Sequence, residues 1–197
     1  MASTTSPEPL PDSTGGGGGG SGGGGLPPGR PSRAVARTPV RVDARFMRAR
    51  LSRWIALGFG SGLSPRAPGT VGTLLGWLSF VVADVWLEPV HWAAVLPLAF
   101  LVGIWACGRT GRDLGVADHG AIVWDEIVAI WLVLLFVPGG WVEQLAAFAV
   151  FRFFDIVKPP PIRYYDAKLK NGFGVMFDDL LAALYTLLVL ALVGTLA

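Results

Sequence analysis

Cysteine is almost missing from the chain: Cys107 stands alone, so no internal disulfide can form. Its spacing to Arg112 falls one residue short of the Cys-x5-Arg loop of cysteine phosphatases, which argues against that chemistry. Charge is scarce too, at 15% of residues against roughly 25% in soluble domains. Histidine occurs only at positions 91 and 119. A net charge of +2 is too small to indicate a nucleic-acid partner. No apolar run comes early enough for a secretory signal peptide, and no internal repeat is evident. What fills the chain instead is apolar sequence, 52% of 197 residues with eight tryptophans. That balance indicates an integral membrane protein.

Two regions differ in composition. Residues 1–45 hold the tract GGGGGGSGGGG followed by LPPGRPSR, which cannot build a core and predicts a disordered arm. Eight arginines and one acid between Arg30 and Arg53 suit either a solvated arm or a segment lying on anionic headgroups. Residues 46–197 read as one membrane-embedded domain, all-α, with about five apolar helices at 71–87, 92–107, 122–137, 141–157 and 180–197. Several of these runs are shorter than the roughly 20 residues a straight span needs, so tilt or local thinning must compensate. Threaded as alternating crossings, the loops around Glu88–His91 and Pro138–Gln144 carry no Lys or Arg, and all 16 basic residues fall on the other face. The positive-inside rule makes that face cytoplasmic and sends the C-terminus outside.

The stretch DLGVADHGAIVWDEIVAIW, Asp113 to Trp131, holds the most unusual chemistry. Asp125 and Glu126 sit in a segment that otherwise reads as membrane helix, where each charge costs roughly 2.5–3.5 kcal/mol. Asp113, Asp118, Asp125, Glu126, Asp155, Asp166, Asp178 and Asp179, eight of the 14 acids, gather on the same face. Carboxylates without cysteine suit a hard cation such as Mg²⁺. The DE and DD pairs each open an apolar run, where acids also stabilise a helix dipole. Since neighbouring helical residues point about 100° apart, one carboxylate of each pair can ligate while the other holds a helix or positions water.

Arg152 and Asp155, three apart, share a helix face and can pair with each other; alternatively Arg152, Lys158 and Arg163 hold phosphate oxygens. PPPIR is a stiff connection that fixes Arg163 relative to Asp155. His119, beside Asp118 in a loop, is a candidate general acid or simply a turn residue. The loop GFGSGLSPRAPGTVGTL feeds a helix start at Gly69–Thr70, a place for an anion, with Ser61 and Thr70 as candidate contacts. Gly72 and Gly76, four apart, suit close helix packing. Metal, cationic groups and a membrane face together suggest phosphoryl chemistry on a lipid headgroup.

Four blocks, GFGSGLSPRAPGTVGTL, DLGVADHGAIVWDE, FRFFDIVKPPPIRYYD and NGFGVMFDD, resemble in content and order the phosphatidylglycerophosphatase A family of lipid phosphatases. The resemblance spans about 54–197. It implies an Mg²⁺-dependent enzyme of the bacterial inner membrane. Such an enzyme converts phosphatidylglycerophosphate to phosphatidylglycerol in phospholipid biosynthesis, from the cytoplasmic leaflet. Carried over by position, the family's acidic residues fall on Asp118, Asp125, Glu126, Asp155, Asp178 and Asp179, and its basic ones on Arg152, Lys158 and Arg163. On that basis Asp118, Asp125, Glu126, Asp178 and Asp179 are candidate metal ligands. Asp125, Glu126, Asp155 and His119 are candidate catalytic groups, and Arg152, Lys158, Arg163, Ser61 and Thr70 candidate substrate contacts. Some members read HDH where this chain has Ala117-Asp118-His119, so a role for that first histidine cannot apply. Competing readings are a CDP-alcohol phosphotransferase, whose DG…AR…G…D…D pattern is absent, a small ion-coupled transporter, and a soluble all-α domain.

Overall fold

The computed structural model describes residues 40–137 and 139–196. Most of the expected 1–45 arm therefore lies outside the described residues, as does Pro138. Residues 40–45 are described. The Asp43 carboxylate accepts from the Phe46 N–H at 2.8 Å and caps the first helix, α1 (Ala44–Arg48).

Every regular element among the described residues is helical. After α1 come α2 (Leu51–Ala56), a 3-10 segment (Gly58–Leu63), α3 (Pro68–Asp84), α4 (Pro89–Leu114) and α5 (Trp124–Leu135). Then follow α6 (Trp141–Val157), α7 (Ile162–Lys168) and α8 (Gly172–Leu196). The boundaries follow local chemistry. α4 starts with Pro89 at its first position and a capping box in which the His91 imidazole accepts from the Glu88 N–H at 3.1 Å. It stops at Gly115, whose φ of 74° is the left-handed conformation that ends helices. His91, given no chemical role above, is thus a cap.

α5 is the hub. Eight of its 12 residues are buried, enclosed by α3, α4, α6 and α8. Gly72 and Gly76 let α3 approach it: a Cβ at Gly76 would lie 3.0 Å from the Ile127 Cα, so the helices could not meet with a side chain there. Tryptophan N–H groups tie helices across the apolar interior. Trp131 donates to the Gly76 carbonyl at 2.9 Å and to Ser79 Oγ at 3.0 Å, Trp124 to the Ala99 carbonyl at 3.0 Å, and Trp77 to Gln144 Oε1 at 2.7 Å. Each bond satisfies a polar group that hydrocarbon surroundings would otherwise strand.

Two helices among the described residues, Pro89–Leu114 and Gly172–Gly194, are long and apolar enough to cross a membrane. The other three apolar runs lie on shorter helices, α3 and α6 with 17 residues each and α5 with 12. At 1.5 Å per residue α5 reaches only about 18 Å. The last run was expected from residue 180, but α8 begins eight residues earlier, where Asn171 Oδ1 accepts from the Gly174 N–H at 2.9 Å.

Candidate active site

The element order carries five helix ends toward one end of the bundle: the starts of α3, α5 and α8 and the finishes of α4 and α6. The start of α5 is fixed by the Val123 N–H donating to the Ala56 carbonyl at 2.9 Å. Asp125 and Glu126 occupy its first turn. Asp178 and Asp179 are the seventh and eighth residues of α8, beyond the first turn where a helix dipole acts. The dipole explanation for the DD pair therefore fails.

Asp125, Glu126 and Asp179 each bring a carboxylate oxygen within 4.8 Å of the others. Asp125 and Asp179 are buried, and the Glu126 side chain is only 12% exposed. Asp125 Oδ1, Glu126 Oε2 and Asp179 Oδ2 are buried without a hydrogen-bond partner. Beside them, Arg152 Nη1 holds Asp155 Oδ2 at 2.5 Å, Glu126 Oε1 at 3.4 Å and Thr73 Oγ1 at 3.3 Å. Among the described residues Arg152 is the one cationic side chain in ion-pair contact with any of these four acids. Four carboxylates against one guanidinium is a deficit of positive charge in a place where unpaired charge costs several kcal/mol. An all-oxygen donor set of this kind fits a hard divalent cation. Both members of the DE pair reach the cluster.

A second group of acids holds a cation of the chain's own. Asp118, Asp166 and Asp178 also bring oxygens within 4.8 Å of one another, but Lys158 stands among them. Its ammonium makes a short contact with Asp178 and lies 3.6 Å from Asp166 and 3.9 Å from Asp118. Burial alone would lower the pKa of Lys158; the Asp178 carboxylate outweighs that and raises it, so the ammonium stays charged. Lys158 ends α6 with a φ of 45°, left-handed backbone that a lysine tolerates at a cost of about 1–3 kcal/mol. The DD pair thus divides its labour, with Asp178 facing Lys158 and Asp179 facing the DE pair.

The remaining candidates scatter. The start of α3 does reach the site: a Cβ on Gly69 would press on Glu126 Oε1 and lie 3.0 Å from Arg152 Nη2, so a side chain there would displace these groups. Ala67, the cap residue, makes no side-chain bond, leaving the first-turn N–H groups of Gly69 and Thr70 without an intrahelical acceptor. Ser61 instead closes its own loop, donating to the Gly58 carbonyl at 2.9 Å. His119 Nδ1 accepts from the Ala121 N–H at 3.1 Å, in the turn that precedes α5. Arg163 is exposed on α7 and joins no ion pair among the described residues. Asp113 stands apart, clamping α4 to α2 through Arg53 at 2.9 Å. Two participants escaped the sequence reading. Thr73 touches Arg152, and its only signal is its position four residues after Gly69. Asp166 was counted among the acids but not as part of a site.

Buried acids, a fixed guanidinium and a helix start with open N–H groups form a centre that can bind a phosphate through a cation. The profile of the Phosphatidylglycerophosphatase A family matches residues 54–194. A Haemophilus influenzae protein named Phosphatidylglycerophosphatase A is 52% identical over 136 residues, covering 68% of this chain and 83% of the relative. The Escherichia coli protein of that name is 38% identical over 160 residues, 79% of this chain and 92% of the relative. A Bacteroides thetaiotaomicron protein, provisionally named a phosphatidylinositol-3-phosphatase, is 42% identical over 148 residues, 70% of this chain and 89% of the relative. No solved structure matches. A match across most of the chain, and over nearly the full length of such relatives, makes this protein a member of the phosphatidylglycerophosphatase A family, enzymes that hydrolyse a phosphate monoester.

Proposed function

We propose that the enzyme removes the terminal phosphate of phosphatidylglycerophosphate at a centre built on Asp125, Glu126 and Asp179, with Mg²⁺ as the cation, yielding the phosphatidylglycerol of phospholipid biosynthesis. The observation that carries this reading is the charge deficit: three buried carboxylate oxygens without a partner, facing one arginine. The chemistry supplied by a bound Mg²⁺ is polarisation of a phosphoryl oxygen and a lowered pKa for its water. The chain's own groups complete the site. Arg152 Nη1 is engaged by acids, while its Nε–H is buried without an acceptor; a phosphate oxygen satisfies it. The open N–H groups of Gly69 and Thr70 face the same charge. Asp155 and Thr73 orient Arg152, and Lys158 holds Asp178 so that Asp179 points inward. Water adds to phosphorus and gives up a proton to a carboxylate of the cluster, the bond to the glycerol oxygen breaks, and that oxygen takes up a proton.

The reaction is proposed to take place at the cytoplasmic face of the bacterial inner membrane, with the helices embedded in several passes. Val71, Leu74, Leu78, Val82 and Val85 form an exposed apolar stripe along α3, and Leu184, Leu188 and Leu192 another on α8. Stripes of this kind need lipid or a partner to cover them. The loops at the far end of the bundle lack Lys and Arg, while the site end carries them.

Phosphate release from phosphatidylglycerophosphate by the purified full chain, with and without EDTA, tests both parts. EDTA should abolish release, and Mg²⁺ should raise the melting temperature. Undiminished release in EDTA removes the cation. Turnover of phosphatidylinositol-3-phosphate in place of phosphatidylglycerophosphate removes the substrate assignment.

A further inference from the structure

A groove with a volume of about 320 Å³ lies between α4, α5 and α8. Leu96 and Leu101 of α4, Val128 and Leu132 of α5, and Met176 and Leu180 of α8 line it. Asp125 is the one polar side chain in this lining, and it is the residue that also belongs to the uncompensated acid cluster. From Asp125 to Leu132 is two turns of α5, about 10 Å. Leu132 also lines a second apolar cavity of about 920 Å³, which continues past Leu184, Leu187 and Ala191. Met176, Leu180, Leu184, Leu187 and Ala191 recur every three or four residues, so one face of α8 lines both spaces.

We infer that this groove holds an acyl chain of the lipid whose phosphate is cleaved, entering between α4 and α8 with its headgroup at Asp125. The inference rests on the function proposed above and adds where the hydrocarbon lies. A purely apolar ligand would leave the carboxylate end of the groove unmatched, and a soluble phosphate would leave the remainder empty. A molecule with an anionic head and a hydrocarbon tail fits both, a cation that Asp125, Glu126 and Asp179 would hold offsetting the repulsion between head and carboxylates. Pro97 stands in the α4 wall; it cannot donate to the Ala93 carbonyl, so the helix ladder is interrupted beside the groove. Leu101 is 62% exposed and stands at the mouth, where a larger side chain can block entry with little effect on the core.

Two measurements on the full chain test the inference. In the first, Leu101→Trp is assayed on dioleoyl phosphatidylglycerophosphate and on the same headgroup with its acyl chains removed. A blocked groove lowers kcat/KM for the acylated substrate by about tenfold or more, with the deacylated one changed less than about twofold. A parallel fall on both, or no fall on either, overturns the inference. The second readout does not depend on turnover. A phosphatidic acid with a mid-chain diazirine, photolysed with the wild-type chain, should label residues 96–101, 128–132 and 176–180, and Leu101→Trp should suppress this. Labelling confined to the α3 stripe shows no lipid in the groove, equal labelling by a diazirine phosphatidylcholine shows bulk lipid there, and either result overturns the inference. If neither phosphatidylglycerophosphate form is hydrolysed while the phosphatidic acid still labels the groove, the proposed function fails and the groove assignment survives.

Discussion

Two groups of three acids lie side by side at the same end of the bundle, sharing adjacent residues of α8, yet they are balanced in opposite ways. Asp118, Asp166 and Asp178 surround Lys158. Among the described residues Asp125, Glu126 and Asp179 have only Arg152 beside them, which contacts Glu126 alone of the three, and each retains a buried oxygen without a partner, as Asp178 does in the other group. One group carries its cation on the chain; the other is proposed to take one from solution. Composition cannot separate them, because both are groups of carboxylates. What separates them is the reach of one lysine, held in left-handed backbone where α6 ends.

The sharpest way to break this comparison is to remove charge from the group that lacks a lysine. Asp125→Asn and Asp179→Asn should each lower kcat by more than about a hundredfold. Each should also reduce the Mg²⁺-induced rise in melting temperature, because a ligand that binds only the folded state stabilises it in proportion to its affinity. Rates near wild type in both variants, with the Mg²⁺ shift intact, would put the cation elsewhere.

Lys158→Met comes next and converts one kind of group into the other. Asp118 and Asp178 then lack a counter-charge, Asp178 with only 3% exposure, while Asp166 keeps Lys170 at 3.4 Å. Breaking a buried pair from one side costs about 3–5 kcal/mol of stability. Asp178→Asn on the same chain should restore part of it, the coupling expected of residues in contact. Mg²⁺ should stabilise Lys158→Met more than wild type, since the emptied group now accepts a cation. An unchanged Mg²⁺ response would show that Lys158 is not what distinguishes the groups.

How far this was legible beforehand depends on how local each signal is. The acids of α5 stood out because charge inside apolar sequence is costly wherever it occurs. The DD pair stood out as well, but its helix was started too late: Gly172 and Gly174 weaken helix propensity and mask the Asn171 cap. Close packing accounts for Gly172, where a Cβ would lie 2.7 Å from the Gly108 Cα. Ser61 looked like an anion contact because a serine beside glycines does, and only coordinates reveal that its hydroxyl closes its own loop. The pairing of Arg53 with Asp113, 60 residues apart, leaves no trace in spacing. Nor does hydropathy report helix number in a membrane simply, since a short helix such as α5 earns burial from its neighbours rather than from lipid.

Arg152 sharpens the comparison by a smaller effect, because it touches only the uncompensated group. Arg152→Lys keeps the positive charge beside Glu126 and Asp155 but removes the Nε–H that has no acceptor in the protein. A charge-assisted hydrogen bond is worth about 1.5–3 kcal/mol, so KM or kcat/KM should worsen by roughly tenfold or more while the melting temperature barely moves. Equal loss of stability and turnover would reduce Arg152 to a structural ion pair.

Arg163 gives the smallest expected effect and tests the boundary of the site. It was expected to hold phosphate, yet it is exposed on α7, one residue after the buried Ile162, and belongs to neither acid group. A charge exposed to solvent acts on the site only through a screened field, which fades over a Debye length of about 8 Å at physiological salt. Arg163→Ala should therefore raise KM by about twofold at low salt, with the difference vanishing as ionic strength rises. A salt-independent rise of about tenfold would instead mean direct contact with the phosphate. Such a result would require α7 to close over the headgroup when substrate binds, placing Arg163 inside a site that the uncomplexed arrangement leaves it outside.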